Sequence, residues 1–342
     1  MSLWQQVVGH DWAVSLLSGA IAHDRIGHAY LITGPDQIGK TTLARTFAQA
    51  LNCQHEDVGE RPCGVCRSCK LISADKHLDV KLVIPEVSGR GKMSVKIDQV
   101  RALQQDLNLS AYEARYKVAI LKRFDAATDG AANAFLKTLE EPPNKVILLL
   151  TANDADTLLP TINSRCRNIA LRPLPTLLIE QTLQSRWQIP EDQAELLAHL
   201  ADGRLGWAVN AFKDNKILAE RRAHLEALYE AIDHNRLTRF ALADKLSRKA
   251  EDLPFVLQTW LSWWRDLTTL AQSQQSRRPA LLSNTITNID EWEKLQACAQ
   301  AWTPEQAFAS LKQTNLALWQ IARNANTRLA LENLLLTYPL PL

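Results

Sequence analysis

The sequence predicts an α/β layer on a parallel sheet that carries a phosphate loop and a cysteine-rich insertion and is followed only by helical domains. Three observations predict it. From residue 1 to about 172, short β-rich runs alternate with helical stretches, the order that a parallel sheet with crossover helices produces. A glycine-rich octapeptide follows the first of these runs. At Arg172-Pro173-Leu174-Pro175 two prolines stop regular structure, and no later run reads as a strand.

Taken in order, the candidate strands are Ala29 to Ile32, Val80 to Ile84, Lys117 to Leu121, Val146 to Leu150 and Asn168 to Leu171. Residues 1–172 therefore form the first domain. Residues 173–212 hold three short helical segments, separated by Ile189-Pro190 and Asp202-Gly203, and read as a small helical domain. Residues 213–342 stay helical, with a polar interruption from Gln272 to Arg278. Six of the ten tryptophans, Trp260, Trp263, Trp264, Trp292, Trp302 and Trp319, lie there. They fill a helical core or form part of a subunit interface.

Composition narrows the function. A chain of 342 residues with 46% hydrophobic and 22% charged residues supports two or three cores, which excludes disorder. A net charge of +2 excludes a protein that holds duplex DNA by bulk charge alone, so any DNA contact is local or shared. No apolar run approaches the roughly 18 residues that cross a bilayer, and the start Met1-Ser2-Leu3-Trp4 lacks a secretory pattern. We expect a soluble, cytosolic protein with no membrane contact.

The octapeptide Gly34-Pro35-Asp36-Gln37-Ile38-Gly39-Lys40-Thr41 fits G-x-x-x-x-G-K-[ST] without a mismatch. Glycines at Gly34 and Gly39 let backbone N–H groups face phosphates, Lys40 reaches the β- and γ-phosphates, and Thr41 ligates Mg²⁺, with Thr42 beside it at the helix start. The expected ligand is ATP or ADP with Mg²⁺. The competing readings are a coincidental turn or a loop that has lost affinity. Hydrolysis needs more, because P-loop ATPases end a neighbouring strand with an Asp, followed in the AAA+ type by a Glu. Here that strand runs into Lys122 and Arg123. Asp125, three positions on, is predicted to face the other way and to lie about 10 Å further along the strand. Nucleotide binding without intrinsic turnover is the expectation.

Cys53, Cys63, Cys66 and Cys69 fall within 17 residues, spaced C-x9-C-x2-C-x2-C. Four thiolates close a tetrahedral set with no open position, the pattern of structural zinc. His55 competes with Cys53 for one place, and an iron–sulfur cluster or a disulfide pair are the alternatives. Cys166 and Cys298 stand apart.

Several segments then occur in one order: Val7-Val8-Gly9-His10, His28 to Pro35, the cysteines after the loop helix, Ala132 to Pro143 with its Leu136-Lys137-Thr138-Leu139-Glu140-Glu141-Pro142-Pro143 core, and Ser164-Arg165-Cys166. Over residues 1–172 the chain resembles the clamp-loader family of bacterial DNA polymerase III, more closely its delta-prime branch than its tau/gamma motor branch. Motor chains keep the Asp-Glu pair that is Lys122-Arg123 here. They also carry a nucleotide-sensing arginine in the helical lid, where this chain has Gly206, with Arg204 nearby.

The resemblance implies an AAA+ module with a zinc insertion, a helical lid and a helical collar. It implies a stator that supplies Arg165 as an arginine finger to a neighbouring motor subunit; from sequence alone Arg165 reads as a surface salt-bridge residue. Thr151 matches the family's first nucleotide sensor. Partners implied are tau/gamma-type motor and delta-type wrench subunits, with the sliding clamp and primer-template DNA reached through the complex, at the replisome in the bacterial cytoplasm. Many delta-prime chains have a degraded phosphate loop, and this one does not. A tau/gamma-like motor or other stand-alone AAA+ ATPase, and a nucleotide-independent zinc interaction module, are the rivals. Lys137, paired at i,i+4 with Glu141, is structural or a partner contact; the loop Ser88 to Lys92 is solvated or a phosphate contact.

Overall fold

Among the described residues the main sheet has five strands, all parallel. In the computed structural model of the chain, residues 3–87, 93–249, 251–276, 285–323 and 325–339 are described. The strands are β1 (Ala29–Thr33), β2 (Val80–Val83), β5 (Lys117–Leu121), β6 (Val146–Ala152) and β7 (Arg167–Ala170), which lie in the order β2-β5-β6-β1-β7, while β3 (Glu86–Val87) and β4 (Met93–Ser94) form a separate antiparallel pair. All five expected strands are present, with ends shifted by at most two residues. The small β3–β4 pair had no sequence signal, since two-residue strands carry no periodicity. The expected loop Ser88 to Lys92 lies outside the described residues.

The central strands β1, β5 and β6 are buried along their whole length. Successive side chains point to opposite faces, so Tyr30, Ile32, Val118, Ile120, Ile147 and Leu149 enter one apolar cluster. Leu31, Ala119, Leu121, Leu148 and Leu150 enter the other. This double burial explains why these strands read as continuous apolar runs rather than alternating ones. Around the sheet lie α1 (Asp11–Ala22), α2 (Lys40–Asn52), α3 (Arg67–Ser73), α4 (Ile97–Leu107), α5 (Asp129–Glu140) and the single turn α6 (Pro160–Asn163).

The chain divides into two compact units, Met1–Leu174 and Pro175–Leu342. The second is helical throughout its described residues: α7 (Thr176–Trp187), α8 (Glu191–Leu200), α9 (Leu205–Lys213), α10 (Lys216–Asp233), α11 (Arg236–Ser247), α12 (Leu253–Ser276), α13 (Trp292–Ala301), α14 (Pro304–Ala322) and α15 (Thr327–Thr337). The expected break at Gln272 is not there, because α12 continues to Ser276, and glutamine is a good helix former. Residues 277 and 278 of that stretch are outside the described residues.

Trp260, Trp263, Trp264 and Trp302 are buried in the core of this unit, and Trp292 packs against it. Trp319 is the exception, 53% exposed with Arg323 stacked 4.0 Å from its ring centroid. Arg239, 2% exposed, donates to the carbonyls of Ala231 (2.7 Å), Leu335 (3.0 Å) and Tyr338 (2.9 Å) and to Pro339. It thereby satisfies carbonyls at the ends of α10 and α15 that no helical N–H can reach.

Candidate functional site

The phosphate loop leaves the end of β1 where a side chain cannot fit. Gly34 has φ +140°, and a Cβ there would lie 2.6 Å from the Leu171 carbonyl oxygen. Gly39, at φ +112°, caps the N-terminus of α2. Lys40 starts α2, and Thr41 and Thr42 complete its first turn, half-buried. The sequence-predicted loop residues are therefore brought together at one helix N-terminus, where free N–H groups favour an anion.

Lys40 is 6% exposed and folds back on its own loop. Its ammonium donates to the carbonyls of Gly34 and Pro35 and to Asn153 Oδ1 at 2.9 Å, and lies 3.8 Å from Asp36 Oδ1. Burial pushes its pKa below the ordinary lysine value, opposed by the charges of Asp36 and Asp125. These contacts occupy the donors that a β- or γ-phosphate would take.

Asn153 is the loop neighbour that sequence reasoning missed. The β1–β6 register sets Thr33 beside Ala152, so the next residues meet, with Gly34 N–H donating to the Asn153 carbonyl at 3.2 Å. The expected sensor Thr151 instead turns away. It is 1% exposed, and its hydroxyl accepts from Arg123 N–H at 2.9 Å, while Asn153 lies just beyond the end of β6. A polar residue immediately after an apolar strand was the available signal.

The end of β5 also departs from expectation. Lys122 is exposed, but Arg123 takes φ +50°, and Phe124–Ala126 form a 3-10 turn. The chain folds back rather than extending. Asp125 therefore accepts from the Asn153 N–H, lies within electrostatic reach of Arg123 and Asp36, and adds to the field at Lys40. Burial raises its pKa above the usual carboxyl value, and its Oδ1 is buried without a hydrogen-bond partner. The predicted 10 Å offset assumed a straight strand and does not hold.

Cys53, Cys63, Cys66 and Cys69 place their sulfurs within 4.8 Å of one another. Four thiolates around one zinc at ~2.3 Å stand about 3.8 Å apart, so small closures complete the set. Cys53 is at the end of α2 and Cys66 caps α3, two elements that pack together. Backbone N–H groups already face the sulfurs: Cys63 N–H donates to Cys53 Sγ at 3.3 Å and Cys69 N–H to Cys66 Sγ at 3.4 Å. Burial nudges Cys63 upward, but the N–H groups of Cys66 and Val65 and the neighbouring thiols outweigh it and bring it down to about 6. Burial pushes Cys69 up. Crowded thiols that resist losing several protons are what a divalent cation relieves. His55 is outside this group, its Nδ1 lying 3.3 Å from the Asp57 carbonyl.

Arg165 follows α6. Its guanidinium donates from Nη1 to the Thr161 carbonyl at 2.9 Å and pairs through Nη2 with Glu140 Oε1 at 2.8 Å. The Lys137–Glu141 pair expected on α5 is not among the ion pairs of the described residues, because Glu141 has already left the helix (φ −125°, ψ 71°).

With this geometry fixed, the chain can be set beside known proteins. A family profile described as "DNA polymerase III, delta subunit" matches residues 9–175, the span that contains the loop, the cysteines and Arg165. The DNA polymerase III subunit delta' of Bacillus subtilis is 31% identical over 255 residues, 75% of this chain and 70% of that protein. The chain belongs to the delta-prime family of DNA polymerase III subunits. The Pseudomonas aeruginosa delta' subunit is 38% identical over 197 residues, 58% of this chain and 56% of that protein. The B. subtilis subunit tau is 33% identical over 205 residues, 58% of this chain but 35% of tau.

Proposed function

We propose that this delta-prime family member is a stator of the replicative clamp loader, assisting ATP-driven loading of the sliding clamp onto primed DNA in the bacterial cytoplasm. It would assemble with tau/gamma-type motor and delta-type subunits, and reach clamp and DNA through them. The α/β unit serves as the AAA+ module, residues 173–212 as a lid and 213–342 as a collar. The cysteine set holds one structural Zn²⁺, which ties the end of α2 to α3. Among the described residues no helix is long and apolar enough to cross a membrane, in keeping with this placement.

One observation carries the reading: the strand β5, which in a P-loop ATPase leads into the metal-binding Asp and the water-activating Glu, leads here into Lys122 and Arg123. Cations at that position repel Mg²⁺ and cannot take a proton from water. The loop of Gly34, Gly39, Lys40, Thr41 and Thr42 then binds ATP or ADP without turning it over, and Asn153 rather than Thr151 is the side chain placed to respond to the γ-phosphate. Arg165 is the group offered outward, to ATP held by a neighbouring motor subunit. A guanidinium supplied in trans accelerates related reactions by about 10³ to 10⁵.

The test is steady-state ATPase. The purified chain should be silent while binding nucleotide, and Arg165→Ala should lower the DNA-stimulated ATPase of the reconstituted complex with assembly intact. Unchanged turnover in that complex refutes the finger assignment. A second reading, intrinsic hydrolysis, draws on Asp125, a half-buried carboxylate with one buried oxygen and within electrostatic reach of Lys40. Turnover by the chain alone, abolished by both Lys40→Ala and Asp125→Asn, would establish it.

A further inference from the structure

We propose that Glu140 is a positioning residue that aims Arg165, a proposal that rests on the reading of Arg165 as the finger. Glu140 is the last residue of α5, and Pro142 and Pro143 prevent that helix from continuing. A carboxylate there opposes the helix dipole, which favours cations at a C-terminus. Glu140 therefore does nothing for α5 itself. Its pairing with Arg165 Nη2 at 2.8 Å gives the acid a reason to be there.

The receiving side is equally fixed. The turn after α6 is tied by Arg165 N–H to the Ile162 carbonyl at 3.1 Å and Cys166 N–H to Asn163 at 3.3 Å. The Thr161 carbonyl accepts from Arg165 Nη1. With the backbone held at the base and the guanidinium held at two of its nitrogens, the long side chain has lost most of its rotamer choice before any partner arrives. A guanidinium has five N–H donors in one plane. Two are committed, to Thr161 and Glu140, and three remain for phosphate oxygens. Glu140 thus orients the finger without consuming it.

Both side chains are part-exposed, and ion pairs of that kind contribute little to stability. A purely structural role would therefore show in neither melting nor turnover. An aiming role shows in turnover only, because preorganisation acts on the transition state.

The experiment uses the complex reconstituted from this chain with the motor and delta subunits of the same organism, the sliding clamp and primed DNA. Glu140→Ala should lower the DNA-stimulated kcat about tenfold, with the KM for ATP, assembly and the melting temperature of the chain unchanged. Glu140→Gln, which keeps an acceptor oxygen but no charge, should fall between. Glu140→Ala combined with Arg165→Ala should be no slower than Arg165→Ala alone. A wild-type kcat for Glu140→Ala when Arg165→Ala is slow overturns the positioning role and leaves the finger standing. Additive losses in the double variant overturn it as well. A wild-type kcat for Arg165→Ala overturns the finger and this proposal together.

Discussion

Asp36 sets up a test of the phosphate loop that predicts a gain rather than a loss. Its Oδ1 lies 3.8 Å from Lys40 Nζ, with 48% of the Asp36 side chain exposed, and Asn153 Nδ2 donates to its other oxygen at 3.3 Å. A phosphate bound at Lys40 would sit next to this carboxylate and displace it from the ammonium. Two unit charges 4 Å apart interact by about 1 kcal/mol in water and ~4 kcal/mol at an effective dielectric constant of 20. The exposure of Asp36 places it near the water limit. Asp36→Asn should then tighten Mg·ATP binding by about 1 kcal/mol, a factor of about five. Titration with a fluorescent ATP analogue at low ionic strength measures it, and raising the salt should shrink the gain. Lys40→Ala should abolish binding. Burial depresses the Lys40 pKa while Asp36 raises it. Affinity should therefore fall as pH rises through the lowered value, and the fall should begin at lower pH in Asp36→Asn. Unchanged or weaker binding by Asp36→Asn refutes the account of Lys40 as the phosphate ligand.

Metal analysis of the purified chain should find one zinc per molecule, lost in Cys66→Ser, with the melting temperature of the α/β unit falling by about 5 °C; full metal content in that variant would contradict the four-thiolate set. Asp79, 3% exposed, accepts from the N–H groups of Tyr112 (2.8 Å), Glu113 (2.9 Å) and Ala114 (2.9 Å). Its burial pushes the pKa up, but those donors and His77 outweigh it and hold it below the ordinary carboxyl value. Asp79→Ala should cost about 2–4 kcal/mol in urea unfolding. Because the folded pKa is the lower one, this stabilisation is complete above about pH 4 and disappears as pH falls through the folded value; a variant as stable as wild type at neutral pH excludes it.

The phosphate loop, the cysteine set and the parallel strands were legible because each is a local pattern. Gly34 to Thr41 must have those residue types for the backbone to turn and face an anion, four cysteines in 17 residues cannot help meeting, and a strand buried on both faces must be apolar throughout. The passage from strands to helices at Pro173 and Pro175 was legible for the same reason. What the sequence left open depended on neighbours distant in sequence. Thr151 and Asn153 are two residues apart, and only the pairing of β6 with β1 decides which one meets Lys40. Asp125 looked remote while β5 was imagined straight, and the left-handed Arg123 brings it back.

The amino-acid sequence alone thus determined which patterns the chain carries: a glycine–lysine loop after the first strand, a four-cysteine cluster and a Ser-Arg-Cys motif, with Lys122 and Arg123 following β5. Tertiary structure alone decided which side chains share a space. Sheet register fixed Asn153 against Lys40, and the packing of α5 beside α6 put Glu140 against Arg165. Contacts of that kind are set by through-space pairing of segments tens of residues apart, and no local pattern of residue types encodes that pairing.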